Sequence, residues 1–217
     1  MLTNAESYRS LATTGRFLAA NPSQLRYLPR WLRERRVETL ELRQPWWPYA
    51  VAEHVEAHLP AHPRVFEYGG GGSSLWLVDR GADLTVVEHH PEWAAELRAK
   101  LPSQVEVLEV SKSTTGTADS PVEDGYFDDY AASISRYPND GFDLVIVDGR
   151  VRVSCVEHSV NKVKPGGMLL LDDSTRPRYQ LAHEMLSNWV KTSLIGLKIG
   201  YSTPTTTTVW QRVNASN

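Results

Sequence analysis

The sequence is short of several things, and each shortage excludes a class of protein. A single cysteine, Cys155, among 217 residues leaves no partner for an internal disulfide and no cysteine cage for a metal, which favours a reducing compartment. No apolar run approaches the roughly 20 residues that a membrane span requires. The stretch MLTNAESYRSLATTG at the start lacks the basic segment and apolar block of a secretory signal, so a cytoplasmic location without a membrane partner is expected. Positive charge is not in excess either: the formal net charge is −3, which argues against nucleic acid as a partner. The local exception, RYLPRWLRERR, reads as a solvated helix face whose arginine stems cover apolar surface. Internal repeats and heptads are missing too. What remains, 41% hydrophobic and 23% charged residues, describes a globular chain of single-domain size.

Two regimes follow along the chain. Residues 1–60 read as helices punctuated by NPSQ and QPWWP, an N-terminal helical cap belonging to the same domain. Residues 61–217 then alternate short β-branched apolar runs with helical stretches, the order of a doubly wound, mostly parallel α/β sheet covered on both faces. RVFEY, DLTVVE, QVEVLEV, FDLVIVD and GMLLLDD are the first five strands. The helices between them include SSLWLVDRG, PEWAAELRAKL with Pro91 at its first position, and VRVSCVEHSVNKV. PRYQLAHEMLSNWVK gives a further helix. The tail, SLIGLKIGYSTPTTTTVWQRV, reads as two strands turning around YSTP, an antiparallel hairpin that completes seven strands. Residues 111–141 form an insertion too long for an ordinary connection. Its first half, residues 111–125, is polar enough for a mobile segment, and YFDDYAASISRY has enough aromatic residues to dock as a short helix, so the segment is taken as a lid on the substrate side.

The chemistry gathers where strands end. Four successive glycines, Gly69 to Gly72, follow the first strand and precede a helix, a place where bare backbone and unpaired N–H groups meet a ligand. The G-x-G-x-x-G pattern of a dinucleotide site is met only in part, because Ser74 stands in the last position. Glu67, two residues before the first glycine, would repel a pyrophosphate and suit a cation. Glu88 ends the second strand and is placed to accept both hydroxyls of a ribose; as a bare cap for the next helix it is less well placed than His90. Asp148 emerges at the carboxyl end of the fourth strand, beside the expected reversal of strand order, whereas Asp143 at that strand's start reads as a turn residue.

With these residues in order, EYGGGG, an acid closing the next strand, DLVIVDG, VKPGGMLLLDD and a terminal hairpin, the chain resembles the class I S-adenosylmethionine-dependent methyltransferases over roughly residues 45–212, and most of all small bacterial members with a Gly/Ser-rich loop and a VDGR fourth strand. The resemblance implies a Rossmann-like methyltransferase fold and S-adenosylmethionine as cofactor, bound by Glu67, Gly69, Gly70, Gly71, Ser73, Ser74, Glu88, His89 and Asp148. It implies transfer of a methyl group to an oxygen or nitrogen of a small-molecule acceptor. No Asn-Pro-Pro-Tyr run is present, which counts against nucleic-acid amines.

Direct displacement asks the protein mainly to position its reactants. If the acceptor is a hydroxyl, something must ease its proton loss; Asp148 and His158 are the candidate bases, with Glu157 behind them. Arg150 would orient an anionic substrate group, and Cys155 reads as a small core residue. Catechol-type members hold magnesium with an acid after the fourth strand and an Asp-Asn pair after the fifth. Here Asp148 is followed by Asp172, Asp173 and Ser174, so a divalent metal is not favoured. Trp47 and Tyr49 of QPWWPYA, with Trp46, either wall the substrate pocket or anchor the N-terminal helices on the sheet. The competing functions are an aminopropyltransferase and a non-catalytic binding protein retaining the fold. The oligomeric state is open, a homo-oligomer included.

Overall fold

A computed structural model describes residues 4–214 of the chain; residues 1–3 and 215–217, the ends of the two expected segments, lie outside the described residues. Helices α1 (Asn4–Ala20), α2 (Leu28–Glu34), α3 (Thr39–Leu42) and α4 (Tyr49–His58) come first. They are followed by β1 (Arg64–Tyr68), α5 (Gly72–Val78), β2 (Asp83–Glu88), α6 (Pro91–Lys100) and β3 (Glu106–Glu109). The insertion carries β4 (Asp119–Ser120), β5 (Glu123–Tyr126) and α7 (Asp128–Ala132), and the chain ends with β6 (Phe142–Val147), α8 (Arg152–Ser159), β7 (Val163–Leu171), α9 (Gln180–Met185), β8 (Val190–Lys198) and β9 (Tyr201–Gln211).

Seven strands form one sheet in the order β3-β2-β1-β6-β7-β9-β8. Pairs from β3 to β7 are parallel, while β9 runs antiparallel to both β7 and β8. The central strands are apolar throughout because both faces are covered. Alternation decides which residue goes where: Phe66, Tyr68, Val145 and Val147 pack with Phe127, Tyr130, Cys155 and Val156 on one face, and Val65, Leu144 and Ile146 pack with Val51, Val55, Leu75, Trp76 and Leu97 on the other. Cys155 is wholly buried, as its reading as a core residue requires. A third cluster joins the N-terminal segment to the hairpin through Leu18, Tyr27, Trp31, Tyr49, Leu197 and Ile199. Among the described residues no helix is long and apolar enough to cross a membrane.

Three local expectations need correction. The helix read over residues 177–191 is a single turn at Pro177–Tyr179 followed by α9 alone. Ser187 and Asn188 are poor helix formers, and Val190 and Lys191 are taken up by the sheet opposite Gln211 and Trp210. The hairpin turns at Ile199 and Gly200, where Gly200 adopts φ +68°, rather than at YSTP. Pro204 therefore lies within β9, beyond the stretch paired with β7 and at an irregularity in the pairing with β8, where a missing N–H is tolerated. Finally, the polar half of the insertion is an ordered β-hairpin. Its Ser113 and Tyr126 exchange backbone hydrogen bonds, and the Asp128 carboxylate accepts from the Thr117 amide and hydroxyl. The second half docks as read, with Phe127, Tyr130, Ala131 and Ile134 buried.

Candidate functional site

The strand order reverses between β1 and β6: from β1 the chain passes through α5 to β2 on one side, and from β6 through α8 to β7 on the other. A cleft of about 720 Å³ opens at the carboxyl ends of these strands, the place where open α/β sheets hold their ligands.

The four glycines of its floor serve different neighbours. Gly69 has φ +83°, and a Cβ there would stand 2.8 Å from Gly149 Cα, so the β1 and β6 loops touch backbone to backbone. A side chain on Gly70 would meet Val86 and Leu97, and one on Gly72 would collide with the carbonyls of Gln44 and Thr39. Only Gly71 has nothing within 4 Å of its Cβ position; its missing side chain leaves room in the cleft itself. Ser74 holds the loop from below, accepting the Gly71 amide at 3.0 Å and donating to Glu67 Oε2 at 2.5 Å.

Glu67 is fully buried, and its Oε1 has no hydrogen-bond partner. Burial pushes its carboxyl up to about 7, against the pull of the serine hydroxyls. Glu67 and Ser74 do not border the cleft. β1 alternation sends Glu67, one of the residues expected at the cofactor, to the α5 face, where Ser74 joins it to the glycine loop.

At the β2 end Glu88 borders the cleft. Its Oε1 accepts the amides of His89 (2.8 Å) and His90 (3.0 Å), so it caps the approach to α6 as well. Oε2 accepts no hydrogen bond among the described residues. His89 meets Glu123 of β5 through Nε2 at 3.1 Å, while its Nδ1 lies 2.7 Å from Glu88 Oε1 without hydrogen-bond geometry. Glu123 also pairs with Lys112 at 3.0 Å and Arg150 at 3.1 Å, and these cations, Lys112 foremost, hold its carboxyl down to about 2. The insertion is thereby fastened over the cleft. Trp93 donates to Gly70 O at 2.8 Å and forms a wall beside it.

At the β6 end Asp148 accepts from Arg152 at 2.8 Å and from the Trp47 indole at 3.3 Å. Burial, with Asp172 nearby, raises its carboxyl above the usual range, opposed by Arg152 and Lys198. Asp173 pairs with Arg176, and Lys198 lies 3.6 Å from Asp172 and 3.8 Å from Asp173. Each acid at the end of β6 and β7 thus faces a cation, and among the described residues no group of three or more His, Cys, Asp or Glu is arranged to hold a metal ion.

The sequence-predicted residues divide accordingly. Gly69, Gly70, Gly71, Ser73, Glu88, His89, Asp148 and Arg150 border the cleft together. Trp47 and Tyr49 do not. Trp47 is buried behind Asp148, and Tyr49 stacks on Tyr27 with its hydroxyl 3.2 Å from Glu34, so the anchoring alternative holds for both. His158 is exposed on α8, 3.2 Å from Ser135, and does not border the cleft, since an α-helix that buries Cys155 and Ser159 turns residue 158 outward. Asp143 is a strand residue that accepts the Arg64 amide at 2.8 Å. Trp46, named with Trp47 and Tyr49 as a wall of the pocket, lines the cleft, as do Trp93, Glu123, Arg152, Lys198 and Tyr201, which were not singled out as site residues. Only an aromatic beside a proline run, in the case of Trp46, hinted at any of them.

No protein-family model matches the sequence, and no curated protein matches it. Solved structures do. A methyltransferase-like protein from Silicibacter pomeroyi shares 27% identity over 80% of this chain and 92% of its own, with a TM-score of 0.53. An O-methyltransferase from Bacillus cereus, crystallised in complex with SAH, shares 18% identity over 80% of this chain and 90% of its own, with a TM-score of 0.52. A 1,6-didemethyltoxoflavin-N1-methyltransferase from Burkholderia thailandensis shares 12% identity over 99% of this chain and 92% of its own, with a TM-score of 0.50. The fold of this chain, a mostly parallel seven-stranded sheet with a terminal antiparallel hairpin, is that of the class I methyltransferases.

Proposed function

We propose that this chain is an S-adenosylmethionine-dependent methyltransferase acting on an oxygen or nitrogen of a small-molecule acceptor. The observation that carries the proposal is the pairing of Glu88, with one carboxylate oxygen free at the cleft, and Gly71, whose absent side chain leaves the floor beside it open. A free carboxylate oxygen at the end of β2 suits ribose hydroxyls. Of the acids lining the cleft, Glu123, Asp148, Asp172 and Asp173 each face an arginine or lysine, and Glu88 faces none among the described residues, so Glu88 is the acid that suits a cationic ligand and disfavours a pyrophosphate. The residues present therefore fit S-adenosylmethionine, which supplies a methyl group already activated on a sulfonium.

On this reading Gly69, Gly70, Gly71 and Ser73 present backbone and hydroxyl to the amino-acid end of the cofactor, Glu88 holds the ribose, and His89 and Trp93 flank the base. Asp148, fixed by Arg152 and Trp47, keeps a carboxyl group beside the reacting centre. Glu123 keeps the insertion closed and water out. The acceptor enters on the side of Trp46, Tyr201 and Arg150.

Incubation of the protein with S-adenosylmethionine and a panel of hydroxyl and amine acceptors, with chromatography for S-adenosylhomocysteine, tests the proposal. Its formation only when an acceptor is added supports methyl transfer. Turnover of the decarboxylated cofactor instead would point to aminopropyl transfer, and cofactor binding without any product to a non-catalytic protein.

A further inference from the structure

Lys198, which faces Asp172 and Asp173, has no part in holding the cofactor. It ends β8, is 3% exposed, and borders the cleft. Its nearest carboxylate oxygens, on Asp172 and Asp173, are 3.6 and 3.8 Å away, outside hydrogen-bond reach. The oxygens that face it are Asp172 Oδ2 and Asp173 Oδ1; the other oxygen of each acid is engaged, Asp172 Oδ1 accepting from Thr207 Oγ1 at 2.5 Å and Asp173 Oδ2 from Arg176. The buried ammonium donates no hydrogen bond among the described residues and has only these two longer ion pairs, a costly arrangement, and it lies where a ligand can supply an acceptor.

The surroundings say what kind of ligand. The rings of Trp46 and Tyr201 stand 5.0 and 5.1 Å from the Lys198 Nζ and meet edge to face at 5.8 Å. Both border the same cleft, and they are 48% and 44% exposed, unusual for aromatics of this size. Trp46 is fixed by its indole donating to Ile199 O at 2.7 Å, so it is held at the mouth rather than left loose there. A cation at the bottom of an aromatic corner matches a flat ring that carries an anionic oxygen.

Resting on the methyl-transfer reading, we propose that Lys198 receives the reacting oxygen of the acceptor, and that the acceptor is an aromatic compound bearing that oxygen as an anion, an ionised phenol-type hydroxyl or an aryl carboxylate. With a phenol-type acceptor the ammonium favours the oxyanion and the proton leaves to solvent. A lone pair of the oxygen forms the new bond to the methyl carbon, the sulfur–carbon bond breaks with its pair retained on sulfur, and an aryl methyl ether and S-adenosylhomocysteine result. With a carboxylate the oxygen arrives ionised, and the product is a methyl ester with no proton to release.

The test is a calorimetric titration at pH 8 of the protein saturated with S-adenosylhomocysteine, using 4-nitrophenol, benzoate and the neutral nitrobenzene as probes. At least one anion is expected to bind tenfold or more tightly than nitrobenzene, and the stronger of the two names the acceptor class. Lys198→Gln is expected to erase that preference while S-adenosylhomocysteine affinity stays within twofold. Should the variant fold poorly, the comparison of charged and neutral probes on the wild-type protein, with Trp46→Ala expected to weaken all three, gives the answer. Equal affinity for nitrobenzene, an anion preference that survives in Lys198→Gln, or no binding of either anion at 10 mM (roughly the weakest affinity of interest) overturns the proposal. Titrations without the nucleoside are run alongside, so that a chain unable to bind S-adenosylhomocysteine loses the methyl-transfer reading while the anion preference is still measured.

Discussion

Gly69 and Gly149 meet backbone to backbone at the sheet's switch point, so close that a methyl group on Gly69 would come within 2.8 Å of the Gly149 Cα. Gly149 in turn lies under the Tyr130 hydroxyl, which would collide with a side chain there. The two loops that frame the cleft are thus locked to each other and to the insertion. Gly69→Ala, with positive φ and no space, is expected to cost about 2 kcal/mol or more of stability. Gly71→Ala should change stability by less than about 0.5 kcal/mol and instead weaken S-adenosylhomocysteine binding tenfold or more. Denaturation curves and calorimetry on the two variants check this contrast.

Glu67 makes stability depend on pH in a definite direction. Its carboxyl is raised from 4.5 to about 7 by burial, so between those values the folded state binds more protons than the unfolded one. Stability contributed by the neutral carboxyl is full below pH 4.5 and is lost as pH rises through 7. At about 1.4 kcal/mol per pH unit, the loss is on the order of 3 kcal/mol. Glu67→Gln keeps an acceptor for Ser74 and cannot ionise. Urea denaturation at pH 5 and pH 8 should show the wild type losing more stability than the variant over that interval.

The fold was legible where local pattern and tertiary packing agree. RVFEY, DLTVVE and FDLVIVD are apolar runs closed by glycine or proline, and they became β1, β2 and β6 within a residue. The stretch 177–191 was not legible as α9 and the start of β8, because a helical spacing of apolar residues says nothing of the sheet edge offered by Trp210 and Gln211. The site divides the same way. Glu88 and Asp148 are found from their position at strand ends. Glu67 occupies a strand end too, but side-chain alternation buries it, and an acid that carries the loop looks like one that meets a ligand. Glu123, Lys198 and Tyr201 reach the cleft from the insertion and the hairpin, through contacts that no sequence spacing records.

Glu123 ties the insertion to the cleft through Lys112, Arg150 and His89. Its carboxyl is held down to about 2, so its contribution is present above pH 4.5 and fades as pH falls through 2. Glu123→Ala is expected to speed hydrogen exchange at the Ser113 and Tyr126 amides, with little change in global stability because the pairs are partly solvated. Unaltered exchange in residues 111–126 would remove its clasping role.

Asp148 and His158 should separate cleanly in an activity assay. Asp148→Asn disturbs the partner of Arg152 beside the reacting centre and is expected to lower kcat tenfold or more with modest loss of stability. His158→Ala, outside the cleft and hydrogen-bonded to Ser135, is expected to leave kcat and KM within twofold. Steady-state kinetics with any acceptor found in the product screen gives both values.

The central claim is that the Glu88 carboxylate and the bare floor at Gly71 hold S-adenosylmethionine. Calorimetric titration of S-adenosylhomocysteine into wild-type protein and Glu88→Ala tests it most directly. Saturable one-to-one binding to the wild type is expected, weakened tenfold or more in the variant, about 1.4 kcal/mol or greater, with no binding of nicotinamide dinucleotide. Equal affinity in the two proteins, or a wild type that takes the dinucleotide and not the sulfur nucleoside, would contradict it.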